Sequence, residues 1–199
     1  MILQVTLLLA GLAVASGVIC CPPMQFNAFQ YVTFVNSTTK LRALHQMVYD
    51  GLNQKYLLTG DCLNKNCGTT KVIYDYQKRT GYNIDSKART CTTFPLQGNF
   101  KDQENICVPR RAVSAGPSFY GYDVNTIAST AYSYDSTTTD GRHRSVEAIV
   151  SDDNCIPLVS TTFSTDNAGE NSLQVLGYNN FYPGIKDISV LEIPTYCQL

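Results

Sequence analysis

The stretch Leu44–Leu58, LHQMVYDGLNQKYLL, places two apolar segments on either side of Asp50-Gly51. An Asp-Gly pair between two such segments is a strong signal for a β-hairpin. A similar signal occurs at Asp140-Gly141, which precedes the alternating segment Ser145–Val150, SVEAIV. Short hairpins join antiparallel strands, so these two sites predict antiparallel sheets.

Further strand-like segments occur along most of the chain, with turn residues between them. Leu41–Met47 could form a short helix, but it alternates acceptably as a strand. Phe94–Pro117 is rich in proline and glycine and predicts a long surface excursion. We therefore expect a mainly β fold of antiparallel sheets, as a sandwich or a curved half-barrel. The other predicted strands are Phe26–Val35, Lys71–Tyr76, Tyr82–Asp85, Phe119–Val124, Ile127–Tyr134, Leu158–Phe163, Leu173–Tyr178 and Ile188–Ile193.

The first residues have the pattern of a secretory signal peptide. Leu7–Ala15 is apolar and is followed by small residues up to Gly17. This apolar run is too short for a membrane span, which needs roughly 20 residues, and no second such segment follows. We expect a signal peptide over residues 1–17 and one β domain over 18–199, secreted and without a membrane span.

Eight cysteines follow the predicted signal peptide: Cys20, Cys21, Cys62, Cys67, Cys91, Cys107, Cys155 and Cys197. Secreted cysteines usually pair, so they predict a disulfide framework and argue against thiol catalysis. Their spacing matches no zinc motif. The net charge of −1 is unlike the basic surface of a nucleic-acid-binding protein, so no nucleic acid partner is expected.

Residues that could carry catalysis are scarce. The only histidines are His45 and His143, far apart in the chain, and there is no nucleophile elbow. The Arg142-His143-Arg144 cluster could bind an anion, although a solvated loop is the simpler interpretation. We therefore predict that the protein is not an enzyme and has no catalytic residues.

Two other polar sites have separate interpretations. Asp152 and Asp153 lie in a turn-like acidic segment that could bind calcium weakly, or could be a solvated turn. Calcium is accordingly the one cofactor that the sequence leaves open. Asn36-Ser37-Thr38 is an N-glycosylation sequon at a predicted strand end, so Asn36 is the predicted glycan site.

Several short motifs together resemble the ependymin family. The segment Tyr49–Lys55, YDGLNQK, resembles a signature near the start of ependymin-related proteins, and Cys20–Pro23 resembles the opening that precedes it. Three downstream segments, Tyr74–Cys91, Asp153–Pro157 and Ile185–Cys197, resemble family motifs in the same order. Ile188 departs from the pattern, because the family usually has proline there.

This resemblance implies secreted glycoproteins whose two curved sheets enclose an apolar cleft, similar in shape to bacterial lipoprotein carriers. It also implies homodimers that bind fatty acids or gangliosides, with links to calcium and to the extracellular matrix. By position, Cys21 or Cys20 should pair with Cys155, and Cys91 with Cys197. Cys62 is expected to pair with Cys107, and the remaining two cysteines are left open.

Three functions follow as hypotheses. The first is a secreted protein that binds a lipid or another hydrophobic small molecule. The second is a structural component of an extracellular matrix, including the organic matrix of calcified shell layers, and the third is a secreted hydrolase. For the first hypothesis, alternating apolar residues are predicted to line the ligand cleft: Val72, Tyr74, Tyr76, Val146, Ala148 and Val150.

Overall fold

A computed structural model describes residues 18–62, 69–103 and 106–197, and most of these residues are in β-strands. The predicted signal peptide lies outside the described residues. The strands are β1 (Val18–Cys20), β2 (Gln25–Asn36), β3 (Lys40–Asp50), β4 (Lys55–Cys62), β5 (Thr69–Asp75), β6 (Thr80–Asp85), β7 (Thr90–Pro95), β8 (Val108–Pro109), β9 (Val113–Tyr122), β10 (Asn125–Thr137), β11 (His143–Ser151), β12 (Pro157–Thr165) and β13 (Asn171–Pro183). The short helix α1 spans Phe100–Gln103, and 3-10 turns span Ile188–Leu191 and Thr195–Cys197.

The strands form one large sheet and one small sheet. The large sheet has 11 strands in the order β7-β6-β5-β4-β3-β2-β13-β12-β11-β10-β9, and β1 pairs with β8 in the small one. All of these pairings are antiparallel. The predicted mainly β fold with two antiparallel sheets is confirmed. The large sheet is not closed, because β7 and β9 are its two edges.

Two meanders of neighbouring strands build the large sheet. One runs from β2 to β7 and the other from β9 to β13, and each strand pairs with the next one in the chain. The long strands β2 and β13 then pair with each other, from Phe26 opposite Pro183 to Asn36 opposite Ser172. This single long-range pairing makes one continuous surface from the two meanders.

The two faces of the large sheet differ in burial. Successive side chains of a strand point to opposite faces, so the register assigns each residue to one of them. We call the face that carries Phe26, Val32 and Val146 the inner face, because these side chains are at most 7% exposed. The opposite face is the outer face, and it leaves large apolar side chains such as Leu44 and Phe163 exposed.

Two segments outside the large sheet cover parts of these faces. Helix α1 brings Phe100 onto an inner-face cluster that contains Phe26, Ala28, Met47, Tyr49, Tyr56 and Tyr178. The C-terminal segment brings Leu191 and Cys197 onto an outer-face cluster of Val48, Leu57, Ile73, Tyr82 and Ile84. Burial of each large apolar side chain contributes about 1.5–3 kcal/mol, so these clusters are the main stabilising regions of the β2–β7 meander.

Two local predictions from the sequence are wrong. The irregular excursion predicted over Phe94–Pro117 includes the start of β9, which tolerates Pro117 because it is an edge strand. The strand predicted over Ile188–Ile193 is a 3-10 turn, because the Asp187 carboxylate accepts a hydrogen bond from the N–H of Ser189 at 3.0 Å and caps it. The ambiguous segment Leu41–Met47 is part of strand β3.

Candidate functional site

The motif Tyr49–Lys55 forms the turn between β3 and β4. The Asp50 carboxylate is 1% exposed and accepts hydrogen bonds from the N–H of Asn53 at 3.1 Å and from the Asn53 amide at 2.7 Å. It also accepts a hydrogen bond from the Gln25 amide at 3.0 Å, which ties the turn to the start of β2. These contacts give the motif a structural role in shaping the turn.

The disulfides attach both ends of the described chain to its body. Cys20 is joined to Cys155, Cys21 to Cys107 and Cys91 to Cys197, with Cα–Cα distances of 5.8, 4.2 and 5.2 Å. The Cys155 partner is thus Cys20, the alternative that the resemblance left open. The expected Cys62–Cys107 pair is wrong, because the pairing of β1 with β8 brings Cys21 against Cys107. Cys67 lies outside the described residues.

Five of the six residues predicted to line a cleft share the inner face of the large sheet, and Tyr76 packs against the inner-face cluster. Val72 and Tyr74 lie on β5, and Val146, Ala148 and Val150 lie on β11. Val146 and Val150 are buried, whereas Val72, Tyr74 and Ala148 are half-buried. Tyr76 follows β5 and packs edge-on against Phe100, with ring centroids 5.5 Å apart. The two groups are separated by the five strands β4, β3, β2, β13 and β12.

Half-buried apolar residues on those intervening strands connect the two groups. In the register, Leu176 lies opposite Val32 on one side and opposite Ser160 on the other. Ser160 in turn lies opposite Ala148, so these residues form one row across the strands. Phe34 and Leu41 form a neighbouring cross-strand pair, and Leu58 lies opposite Val72. The side chains of the intervening strands are half-buried at Phe34, Leu41, Leu58 and Leu176. They form an apolar surface on the inner face that we call the inner apolar surface: Phe34, Leu41, Leu58, Val72, Ala148 and Leu176.

A small polar group lies beside this surface. The Gln30 amide donates a hydrogen bond to the Tyr178 hydroxyl at 3.2 Å, and both side chains are buried. His45 is the cross-strand neighbour of Gln30. Its Nδ1 atom is buried and has no hydrogen-bond partner among the described residues. Burial lowers the pKa of the His45 ring below its ordinary value, so the neutral form is favoured.

Sequence reasoning missed most of this surface. Phe26–Val35 alternates between residues of the two faces, but both alternating sets contain apolar side chains, so the pattern does not show which one is inner. Gln30 would have been placed with the exposed residues by its polarity, yet it is 7% exposed. The missed residues are Gln30, Phe34, Leu41, Leu58, Leu176 and Tyr178.

The acidic residues proposed for calcium lie in a hydrogen-bonded turn. Asp152 accepts a hydrogen bond from the Thr130 hydroxyl at 2.7 Å. Asp153 accepts one from the N–H of Asn154 at 2.7 Å, and hydrogen bonds from Ser151 and Asn154 lower the pKa of its carboxyl. Within the described ranges, no three or more His, Cys, Asp or Glu side chains are grouped in a way that could hold a metal ion. Calcium binding here stays a prediction.

The basic cluster at Arg142–Arg144 makes contacts within its own hairpin. Arg142 forms an ion pair with Asp140 at 3.2 Å, and Nδ1 of His143 lies 3.1 Å from the Thr137 hydroxyl. A shallow groove of about 330 Å³ adjoins His143 and is lined by Asp135, Ser145 and Phe163, among others. His45 and His143 lie on opposite faces of the sheet, so the structure does not bring the two histidines together.

The predicted glycan site lies in the turn between β2 and β3. The Asn36 side-chain oxygen accepts hydrogen bonds from the N–H groups of Thr38 and Thr39, at 3.0 and 2.6 Å. Ser37 and Thr38 are exposed. This geometry keeps the sequon at the rim of the sheet, where a glycan would extend into solvent.

None of the described helices is long and apolar enough to cross a bilayer.

By sequence, the chain is similar to one family model and to two relatives that carry the same family name. A family model described as Ependymin matches residues 64–197. Ependymin-related protein 2 of Haliotis asinina is 62% identical over 200 residues, covering 100% of both chains. Ependymin-related protein 1 of the same species is 61% identical over 198 residues, covering 99% of both chains.

Similarity to solved structures is much lower. An uncharacterized conserved protein from Thermus thermophilus has a TM-score of 0.46 at 9% identity, covering 87% of each chain. A LolA superfamily protein from Nitrosomonas europaea has a TM-score of 0.42 at 10% identity, covering 88% of this chain and 93% of that one. The assignment therefore rests on the sequence matches, which extend over the whole length of this chain and of its relatives. By these matches, the chain belongs to the ependymin family.

Proposed function

We propose that this protein is a secreted, non-catalytic carrier that binds a lipid-like ligand on the inner apolar surface. The observation that carries the proposal is the unpartnered, buried Nδ1 of His45 close to half-buried apolar residues. Binding sites for small molecules commonly combine an apolar lining with a few polar groups that orient the ligand. The secreted location is supported by the disulfides and by the membership of the ependymin family.

The chemistry of this surface favours a ligand with a long apolar part and one polar group. Each CH₂ group that moves from water to an apolar site contributes about 0.8 kcal/mol. Leu176, Phe34 and Leu58 can provide such contacts, because each is only half-buried in the protein alone. A polar headgroup could then complete the hydrogen bonding of His45, because burial lowers the pKa of its ring and favours the neutral form.

Native mass spectrometry of the secreted protein, with lipid extraction, tests the proposal directly. The delipidated protein should then take up a fluorescent fatty acid. Leu176→Gln should weaken this binding roughly tenfold, because it places an amide in the apolar surface. Leu52→Gln is the matched control, since Leu52 is 63% exposed in the β3–β4 turn. A native protein that carries no lipid and takes none up would overturn the proposal.

A second variant tests the role assigned to His45. His45→Phe keeps a ring of similar size but removes the hydrogen-bonding nitrogens. We expect this variant to bind a fatty acid more weakly while binding the corresponding hydrocarbon as well as before. Equal losses for both ligands would show that His45 serves only packing.

Calcium binding and a place in an extracellular matrix remain separate proposals. Titration calorimetry with calcium, on the unchanged protein and on Asp152→Asn, tests the first. Proteomics of the insoluble matrix, including calcified shell layers, tests the second. Free protein in body fluid and none in the matrix would argue against a matrix role.

A further inference from the structure

Paired basic residues occur at two places in the sequence, Lys78-Arg79 and Arg110-Arg111. Both pairs lie in turns, and all four side chains are exposed. Exposed turns are the preferred sites of proteolytic cleavage in folded proteins. A serine endoprotease with acidic specificity pockets binds two consecutive cationic side chains through charge-assisted hydrogen bonds and cleaves after the second. Each turn is therefore a candidate processing site in a secreted protein.

The turn at Lys78-Arg79 is held by hydrogen bonds on its backbone. The N–H of Leu96 donates to the Arg79 carbonyl at 3.0 Å, and the Thr80 hydroxyl donates to the Lys78 carbonyl at 3.0 Å. The N–H of Lys78 donates to the buried Asp75 carboxylate at 3.0 Å. Arg79 has a φ of 53°, in the left-handed region. These features oppose the extended conformation in which a protease binds its substrate, so this turn is protected.

The turn at Arg110-Arg111 is held differently. Its turn hydrogen bond runs from the N–H of Ala112 to the Pro109 carbonyl at 2.9 Å. The Arg111 Nε atom donates to the Asp135 carbonyl at 2.7 Å, at an exposed position where water can replace the protein partner. Strand β8, just before the turn, pairs with β1 over two residue pairs. A protease can therefore extend this turn without opening the large sheet.

The two turns also differ in their place in the fold. Arg110-Arg111 lies between the two meanders of the large sheet, since β2–β7 precede it and β9–β13 follow it. Among the described strands, β8 and β9 on either side of this turn are not paired with each other. A cut after Arg111 thus divides the chain where one meander ends and the next begins. A cut after Arg79 would instead divide the β5–β6 hairpin, whose strands are paired over five residues each.

Two disulfides cross the boundary at Arg111. The Cys20–Cys155 and Cys91–Cys197 bonds each join a residue before the turn to a residue after it. The long pairing of β2 with β13 also joins the two sides. The two pieces would therefore stay together after cleavage, and the large sheet would keep its strand order.

We propose that Arg110-Arg111 is a processing site, cleaved after Arg111 by a secretory-pathway serine endoprotease that recognises paired basic residues. Water adds across the Arg111–Ala112 peptide bond, so Arg111 gains a carboxylate and Ala112 an amino group. The product is a two-chain protein linked by disulfides, in which Cys21–Cys107 holds the new C-terminal end. The proposal rests on the secreted location proposed above, but it does not depend on a ligand at the inner apolar surface.

Digestion of the intact, disulfide-bonded protein with a purified proprotein convertase specific for paired basic residues tests the site itself. Electrophoresis should show one species without reductant and two fragments of similar size with it. N-terminal sequencing of one fragment should start at Ala112. Arg111→Gln should slow cleavage roughly 100-fold or more, because the acidic pocket of the enzyme is left without its partner. Arg79→Gln is the matched control and should leave the rate unchanged.

Circular dichroism keeps this test independent of folding defects, because Arg111→Gln and the cleaved protein should both retain the β spectrum of the unchanged chain. Resistance to the purified enzyme would overturn the proposal. So would cleavage after Arg79, cleavage that persists in Arg111→Gln, or separation of the two pieces without reductant.

Expression in eukaryotic cells that contain such convertases tests whether the site is used. The secreted protein should be in two chains, and a convertase inhibitor should leave it in one. A protein secreted intact from these cells without inhibitor would overturn the proposal. Retention inside the cells, together with cleavage by the purified enzyme, would count against the secreted location and would support the site.

Discussion

The Lys55 ammonium lies 3.0 Å from a carboxylate oxygen of Asp75, whose side chain is only 1% exposed. The two residues are opposite each other, at the start of β4 and the end of β5. The second oxygen of Asp75 accepts a hydrogen bond from the N–H of Lys78 at 3.0 Å. Lys55 closes the motif YDGLNQK and Asp75 is in YDY, so two of the recognisable motifs of the chain meet in one ion pair.

Removal of Lys55 should be costly, because it leaves a buried charge without its partner. Breaking such a pair from one side costs about 3–5 kcal/mol, and the 24% exposure of the Lys55 side chain favours the lower end. Lys55→Met should therefore lower the free energy of unfolding by about 3 kcal/mol in urea titrations. The double variant Lys55→Met/Asp75→Asn should recover part of this loss. Lys71→Met, on the neighbouring strand, is the control, and an equal loss there would refute the role of the pair.

The Cys91–Cys197 disulfide should stabilise the C-terminal segment against the outer-face cluster. It joins residues 106 positions apart, and closing a loop of about 100 residues contributes roughly 4–5 kcal/mol in the chain-entropy model. Cys91→Ala/Cys197→Ala should lower the melting temperature and increase hydrogen exchange in the segment that carries Leu191. Exchange that increases only around Cys21 and Cys107 would contradict this assignment.

The turn at Asp50-Gly51 shows how a correct local prediction can have a different physical reason. The Asp-Gly pair predicts a hairpin because glycine tolerates a positive φ. In the structure the positive φ of 53° belongs to Gln54. Gly51 is required for space, since a Cβ atom there would lie 2.8 Å from the Met24 side chain and 3.1 Å from its carbonyl oxygen. Neighbouring strands could therefore be predicted, but the contact with Met24 could not.

The candidate sites depend on pairings that local sequence does not contain. Alternation in β5 and β11 correctly grouped Val72 with Tyr74 and Val146 with Ala148. Only the pairing of β2 with β13 places both groups on one continuous face. Long-range register is thus the information that the sequence patterns lacked.

The Asn36 sequon should carry a glycan when the protein passes through a secretory pathway. Endoglycosidase treatment of the secreted protein should shift its mobility, and Asn36→Gln and Thr38→Ala should both abolish that shift. Ser37→Ala keeps the sequon and should retain the glycan. Asn36→Gln should also cost about 1 kcal/mol, because it removes the hydrogen bonds to the N–H groups of Thr38 and Thr39. A mobility shift that persists in Asn36→Gln would exclude this site.

His45 should make folding stability depend on pH in a defined direction. Burial lowers the pKa of the ring in the folded protein, whereas the unfolded chain has the ordinary value of about 6.5. Below that value the unfolded state binds the proton more readily than the folded state does. The free energy of unfolding should therefore be highest above pH 6.5 and should fall as the pH decreases below it.

Substitution of His45 isolates this contribution from that of the carboxylates, which titrate at lower pH. Urea titrations of the unchanged protein at pH 7.5, 6.5 and 5.5 should show stability falling toward pH 5.5. His45→Gln should flatten that decline, because it removes the group whose protonation opposes folding. His143→Gln, at an exposed ring, should keep the decline of the unchanged protein. An unchanged slope in His45→Gln would show that His45 protonates equally well in the folded chain, against the burial that lowers its pKa.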